Sequence, residues 1–326
     1  MPVARSLYRR IATVLYSANN VVPTRLEVTG KVRRLFLELT GTLDVTGAMT
    51  AAVTQNPGTL VPTITLRFNE QTILKSGRWL DWINRAYVFD KLPVQVTAAA
   101  GVAAYAFRSR IQLPFVTPWG ARPIDTILVI GDRDRLDLDI GWGDENSLGT
   151  GGTKAFTVNP EIRVIAEMIN DVNVEPVATY KEGAFEDAVG TAANTDYQGL
   201  DLVTGPGVNY HHQIIAAEDN VANSLRALVD VIDQVQIQMT GQGIVSTPFG
   251  QVTGPQLQQD FNQDSVRVDA PRVGIYPVLW QPRFDGRMTY NLVTADLNDL
   301  RFLINHTLFA TAGTFRVAYG TVEPLG

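Results

Sequence analysis

The spacing of apolar and polar residues changes period several times along this chain of 326 residues. In the first stretch Leu7, Ile11, Val14 and Leu15 fall at helical spacing, with Arg5, Arg9 and Arg10 outside that stripe. This predicts a helix over residues 3–17, ended by Asn19, Asn20 and Pro23. Over residues 32–41 the period becomes two, because Leu35, Leu37 and Leu39 alternate with Arg34, Phe36 and Glu38. That is the pattern of a strand with one buried face. Further strands are predicted at 62–69, 102–113, 124–130, 133–140 and 156–169, with a helical insert over 73–89. Residues 173–210 are rich in Gly, Ala, Asp and Thr with little periodicity, and read as a linker with long surface loops. A helix over 218–230 and a strand over Ile232–Gly241 follow.

Parts of the pattern recur in order. Residues 32–41 align without gaps on 232–241, with Thr40-Gly41 repeated as Thr240-Gly241 and a predicted helix ahead of each. Residues 110–113 resemble 272–275, each followed by a proline and a tryptophan. Residues 135–140 and 156–158 resemble 299–304 and 315–317. Three ordered matches point to a duplicated domain. Strands that bury one face and must protect their edges form sandwiches or barrels, among them the eight-stranded jelly roll.

Composition agrees with a folded β protein. Hydrophobic residues make up 45% and charged residues 18%, and the 27 glycines and 17 prolines are scattered, as in chains with many short strands and turns. No apolar run approaches the ~18 residues of a membrane-spanning helix, and the first residues lack the apolar core of a secretory signal. The absence of cysteine excludes disulfides, thiolate metal sites and cysteine nucleophiles. Charge is uneven: residues 1–34 hold seven basic residues and one acid, and the remainder holds 20 basic and 32 acidic residues. A basic arm on an acidic body suits anionic material such as lipid headgroups or nucleic acid.

No constellation of catalytic residues is legible. The histidines are His211, His212 and His306, without an HExxH motif, and the adjacent pair is expected to point to opposite faces of a strand. Asp132, Asp134 and Asp144 form a calcium candidate. They do not follow EF-hand order, and neighbouring Asp137 and Asp139 alternate with Leu136, Leu138 and Ile140 as on the solvent face of a strand. The run Gly149-Thr150-Gly151-Gly152-Thr153-Lys154 lacks the order of a phosphate loop and reads as a connection between strands. Trp79, Trp82 and Tyr87 suit packing better than sugar or base binding. The expectation is a protein without catalytic residues, metal or other cofactor.

The basic N-terminal segment, the strands at 32–41 and 232–241, Pro118-Trp119 ahead of 124–130, and the Leu136–Asp144 stretch before a glycine loop carry a resemblance. Together they resemble the double jelly-roll major capsid proteins of tailless, icosahedral, lipid-containing bacteriophages, which share their architecture with adenovirus hexon. The likeness is architectural, spans most of the chain, and rests on no single diagnostic motif. It implies an all-β fold with a few short helices, arranged as two tandem eight-stranded jelly-roll barrels. Residues 1–30 would form a basic helical arm, 31–172 the first barrel, and 173–326 the linker, loops and second barrel, with short towers drawn from 173–212. It further implies a homotrimer that forms pseudo-hexagonal capsomers, contacts neighbouring capsomers and minor or penton proteins, and tiles a virion shell. Arg5, Arg9 and Arg10 would face the interior or an internal lipid membrane. Two other readings fit the pattern: a phage tail, spike or adaptor protein, and a tandem jelly-roll carbohydrate-binding protein.

Overall fold

The computed structural model describes residues 6–47, 51–52, 57–90, 104–118, 123–170, 174–220, 226–241, 244–258, 272–280 and 292–325. In its first half the strands are β1 (Ser6–Leu15), β2 (Val21–Leu26), β3 (Gly30–Thr46), β4 (Ala51–Ala52), β5 (Thr63–Phe68) and β6 (Thr72–Gly77). Helix α1 (Trp79–Phe89) comes next, then β7 (Ala104–Pro114), β8 (Leu128–Ile130), β9 (Leu136–Gly141), β10 (Gly149–Thr150) and β11 (Thr153–Ile169). The second half holds β12 (Ala178–Val189), β13 (Asn194–Asp201), β14 (Asn209–Asn220), β15 (Arg226–Leu228) and β16 (Ile232–Gly241). It ends with β17 (Ile244–Thr253), β18 (Ile275–Leu279), β19 (Leu292–Val293), β20 (Leu297–His306) and β21 (Gly313–Pro324).

Setting aside the shortest strands, each half is a pair of four-stranded sheets wound the same way. The first half pairs in the orders β1-β11-β3-β7 and β2-β9-β5-β6; the second pairs as β12-β21-β14-β18 and β13-β20-β16-β17. In both halves the first strand lies beside the last and the second beside the one before the last. That is the jelly-roll winding, and each unit is an open two-sheet sandwich of eight strands. The chain passes from one to the other between Ile169 and Ala178.

Period-two patterning supplies the two cores. Leu35, Leu37 and Leu39 of β3 are fully buried against Ile64 and Leu66 of β5, Leu138 of β9 and Val164 of β11. The second core gathers Ile215, Val235, Phe302, Ile304, Phe315 and Val317. The Gly149–Lys154 run forms a strand connection, with Gly151 (φ +79°) and Gly152 (φ +64°) in the left-handed turn that a side chain would strain.

Four expectations are corrected here. Residues 6–15 form a strand, not a helix, because the edge of the 17-residue strand β11 offers them backbone partners from Ser6↔Ile169 to Leu15↔Glu161. β1 and β2 are therefore strands of the first jelly roll, and the described part of residues 1–30 is not a helical arm. Residues 178–189 and 194–201 are the first two strands of the second jelly roll, not linker and loops. Residues 226–228 pair as β15 with β14, where a helix over 218–230 was expected. In the repeat, 32–41 lies on the third main strand of its unit and 232–241 on the fourth, so that alignment joins strands that are not equivalent. Because β3 and β16 alternate alike, the two patterns match without a shared position. Of the other two matches, that of 135–140 and 156–158 with 299–304 and 315–317 joins equivalent strands, β9–β11 with β20–β21, whereas 272–275 lies ahead of β18 apart from Ile275.

Candidate functional site

The densest polar cluster lies where the two jelly rolls meet. β6 of the first pairs in parallel with β12 of the second through Lys75↔Glu182, which fuses a sheet of each unit into one. The chain then turns directly into α1. Asp81, in the first turn, accepts a hydrogen bond from the Arg78 backbone N–H at 2.7 Å, which starts the helix and places a carboxylate at its positive end.

One side of α1 enters the first core through Trp79, Leu80, Trp82 and Ile83. Its other side lies on the outer face of the β12-β21-β14-β18 sheet, where Tyr87 and Val88 meet Ile214, Ala216 and Ile275. Around that apolar contact the charges are matched pairwise. Arg316 of β21 donates from Nε and Nη2 to the two Asp81 carboxylate oxygens, both at 2.7 Å. Arg78 donates to Glu218 of β14 at 2.6 and 3.0 Å. Glu182 accepts from Lys75 at 2.9 Å, Arg85 at 2.5 Å and the Tyr180 hydroxyl at 2.7 Å, while the Lys75 ammonium stands 4.1 Å from the Tyr180 ring centre.

Burial sets the protonation of these groups. It would raise the Asp81 carboxyl, but Arg316 and Arg78 outweigh it and hold the pKa below the ordinary 3.8. Lys75 and Arg85 do the same for Glu182, below 4.5. Lys75 itself is fully buried and shares the Glu182 carboxylate with Arg85, so burial wins and its pKa falls to about 8.

His211 and His212 border this cluster, and here a further expectation is corrected. A bulge between Tyr210 and His212 inserts one extra residue in β14, so the two rings lie on one side with their Nδ1 atoms 3.1 Å apart. Both are buried, against Phe89 and Tyr180. Burial, then His211, Arg85 and Lys75, push His212 well below 6.5 and keep it neutral. With two cations beside them, these rings form a packed wall and not a cation site.

The sign of the pH response follows. A histidine with a lowered folded pKa takes up its proton only on unfolding, so stability is lost as pH falls below 6.5. Carboxylates with lowered pKa contribute fully above 4.5 and lose that contribution as pH falls further. Thermal unfolding followed by circular dichroism should therefore show two acid phases, each approaching roughly 1.4 kcal/mol per pH unit per group. His212→Gln should remove the upper phase and Glu182→Gln should weaken the lower; a Tm flat from pH 7 to 3 would contradict both.

The residues singled out by sequence lie elsewhere. Arg5 is outside the described residues. Arg9 and Arg10 are exposed on β1, and Arg10 donates to Thr13 at 2.5 Å. Asp134 accepts from the Gly131 N–H at 2.7 Å and from Asn69 at 2.9 Å, in the turn before β9. Asp144 follows β9 and caps a short 3-10 helix by accepting from the Asn146 N–H at 2.9 Å. Asp132 and Asp134 are thus separated from Asp144 by the length of β9, and among the described residues no three metal-ligating side chains converge. Trp79, Trp82 and Tyr87 are buried. Sequence reasoning missed the joint altogether; its signal was a lysine within the apolar Ile73–Leu74 context and an acid-rich segment that does not alternate.

No protein-family model matches the chain, and no curated protein matches its sequence. Solved structures do match along almost the whole length. The STIV MCP superposes with a TM-score of 0.71 at 14% identity, covering 98% of this chain and 97% of that one. The major capsid protein P2 from bacteriophage PM2 gives 0.64 at 12% identity, with 99% and 98% covered. The Faustovirus major capsid protein gives 0.58 at 8% identity, with 100% and 92% covered. The chain has the double jelly-roll fold of these major capsid proteins.

Proposed function

We propose that this chain is a viral major capsid protein, a structural building block and not an enzyme, whose copies trimerise into pseudo-hexagonal capsomers and tile an icosahedral shell. The observation that carries this reading is the tandem of two jelly rolls, joined through β6–β12 and by buried ion pairs, with nearly complete coverage in both directions against the STIV MCP. A tile must hold its two halves at one angle, and removing one partner of a buried ion pair at the joint strands a charge, so the paired charges penalise arrangements that separate them. Closed rotational symmetry then multiplies that unit into a capsomer. In the virion the shell would also touch minor or penton proteins. The basic N-terminal segment with Arg5, Arg9 and Arg10 would face the interior or an internal lipid membrane.

Size-exclusion chromatography with light scattering should return the mass of a trimer, and electron microscopy of the particles should find this chain in hundreds of copies in the shell. A stable monomer at high concentration with no particle containing it would overturn the reading. A few copies per particle would assign it to a tail, spike or adaptor.

A further inference from the structure

Two cavities flank the row where the jelly rolls join. The inner one lies between α1 and the fused sheet and has room for about one water-sized sphere (≈ 10 Å³). It is lined by Asp81, Trp82 and Arg85 of α1, Glu182 of β12 and His212 of β14. The outer one, of ≈ 340 Å³, is walled by Tyr210 and Tyr319, and the exposed Ile73 and Val203 bring it to the surface. Ser76, Glu182, Gly183 and Tyr319 line both. The backbone explains why the two meet. β6 and β12 pair at the single row Lys75↔Glu182, and the next row brings Ser76 beside Gly183, which has no side chain to fill the space. A Cβ on Gly183 would stand 2.6 Å from the Tyr319 hydroxyl oxygen, so glycine is what lets Tyr319 lie over that row.

The inner cavity has an unanswered donor on its wall. Trp82 is 3% exposed, and its indole Nε1 has no hydrogen-bond partner among the described residues. A buried N–H without an acceptor carries the full desolvation penalty of that group. Spare acceptors line the same cavity, because each carboxylate oxygen accepts two hydrogen bonds. Glu182 Oε1 takes two, from Arg85 and the Tyr180 hydroxyl, whereas among the described residues Oε2 takes one, from Lys75. Asp81 Oδ1 likewise takes one, from Arg316. A cavity of this size with polar walls suits a water, whereas an apolar one stays dry.

We infer that the inner cavity is a water site: one water accepts from Trp82 Nε1, donates to the Glu182 and Asp81 carboxylates, and exchanges with solvent through the outer cavity past Ser76 and Gly183. Asp81 belongs to the pairs with Arg78 and Arg316, and Glu182 to those with Lys75 and Arg85. A water between them links the two halves of the charge network across the joint. The inference stands independently of the capsid reading.

A high-resolution crystal structure should show a water about 2.9 Å from Trp82 Nε1. In solution the control is Trp79, whose Nε1 donates to Ser109 within the first core. With the indole signals assigned by single Trp→Phe substitutions, the Trp82 N–H should give a nuclear Overhauser cross-peak to water. In heavy water it should exchange roughly tenfold faster than that of Trp79. Ser76→Val, which adds methyl groups to the passage, should slow Trp82 exchange by a similar factor and leave Trp79 unchanged. Should that variant not fold, the comparison of the two indoles in the unaltered protein decides by itself. No water within hydrogen-bond reach of Trp82 Nε1, or a Trp82 N–H that exchanges as slowly as Trp79, would overturn the water site. Exchange untouched by Ser76→Val in a folded variant would overturn the route.

Discussion

Glu182→Ala is expected to destabilise the protein by about 3–5 kcal/mol, the cost of stranding buried charges by removing their partner. Glu182 is 5% exposed and serves Lys75, Arg85 and the Tyr180 hydroxyl at once. Without it an ammonium with no exposure and a nearly buried guanidinium face each other with no carboxylate between them. Arg85 keeps Asp90 at 3.3 Å, whereas Lys75 keeps the Tyr180 carbonyl at 3.2 Å and the Tyr180 ring at 4.1 Å, neither of them a carboxylate. The loss should therefore centre on Lys75. Guanidinium unfolding read by tryptophan fluorescence should show a lower midpoint at unchanged slope. Adding Lys75→Met to Glu182→Ala should recover part of the loss, because the unpaired ammonium leaves with it. A single-variant loss under about 1 kcal/mol would mean that the ion pairs do not hold the joint.

Trp79→Ala should cost a similar amount, about 3–5 kcal/mol, by a different route. Trp79 is fully buried at the start of α1, packs in the first core, and donates from Nε1 to the Ser109 hydroxyl at 2.9 Å. Its neighbourhood is tight enough that a Cβ on Gly58 would stand 3.0 Å from the Trp79 ring and closer still to Leu80. Little collapse into the vacated volume is possible, so the cavity cost adds to the lost transfer energy. Ser109→Ala, which removes only the hydrogen-bond partner, should cost about 1–3 kcal/mol. Equal losses for the two variants would show that the hydrogen bond, and not the ring volume, anchors the helix.

The two predictions act on the same element from opposite sides, and this explains why the sequence revealed only one of them. The Trp79 side of α1 was legible as part of a helical insert over 73–89, although β6 (Thr72–Gly77), which overlaps the start of that span, is strand. It is strand because β5 and β12 lie on either side of it and supply backbone partners that a helix would leave unused. The Glu182 side was illegible. In β12 the residues that face the joint, Tyr180, Glu182 and Glu186, are polar, so period two carries no apolar signal and 178–189 reads as loop. β14 is hidden in the same way: it is buried on both faces, with His212 and Glu218 on the side where a solvent-facing strand would be polar. β1 misled for the opposite reason. Its first five residues are exposed and pack against no core, so nothing constrains their spacing to period two.

What the amino-acid sequence determined by itself is therefore the set of half-buried strands: β3, β5, β7, β9, β11 and β16 announce themselves by alternation, because each has one face in an apolar core and the other in water. From these followed the β class, the duplication and the resemblance to double jelly-roll capsid proteins. Only the tertiary structure decided which strands are neighbours, that 32–41 and 232–241 are not equivalent, and that Asp81, Arg316, Arg78, Glu218, Lys75 and Glu182 meet in one joint. The physical reason is that a buried ion pair joins residues more than a hundred positions apart and writes no period into either segment, whereas a hydrophobic face writes one at every second residue.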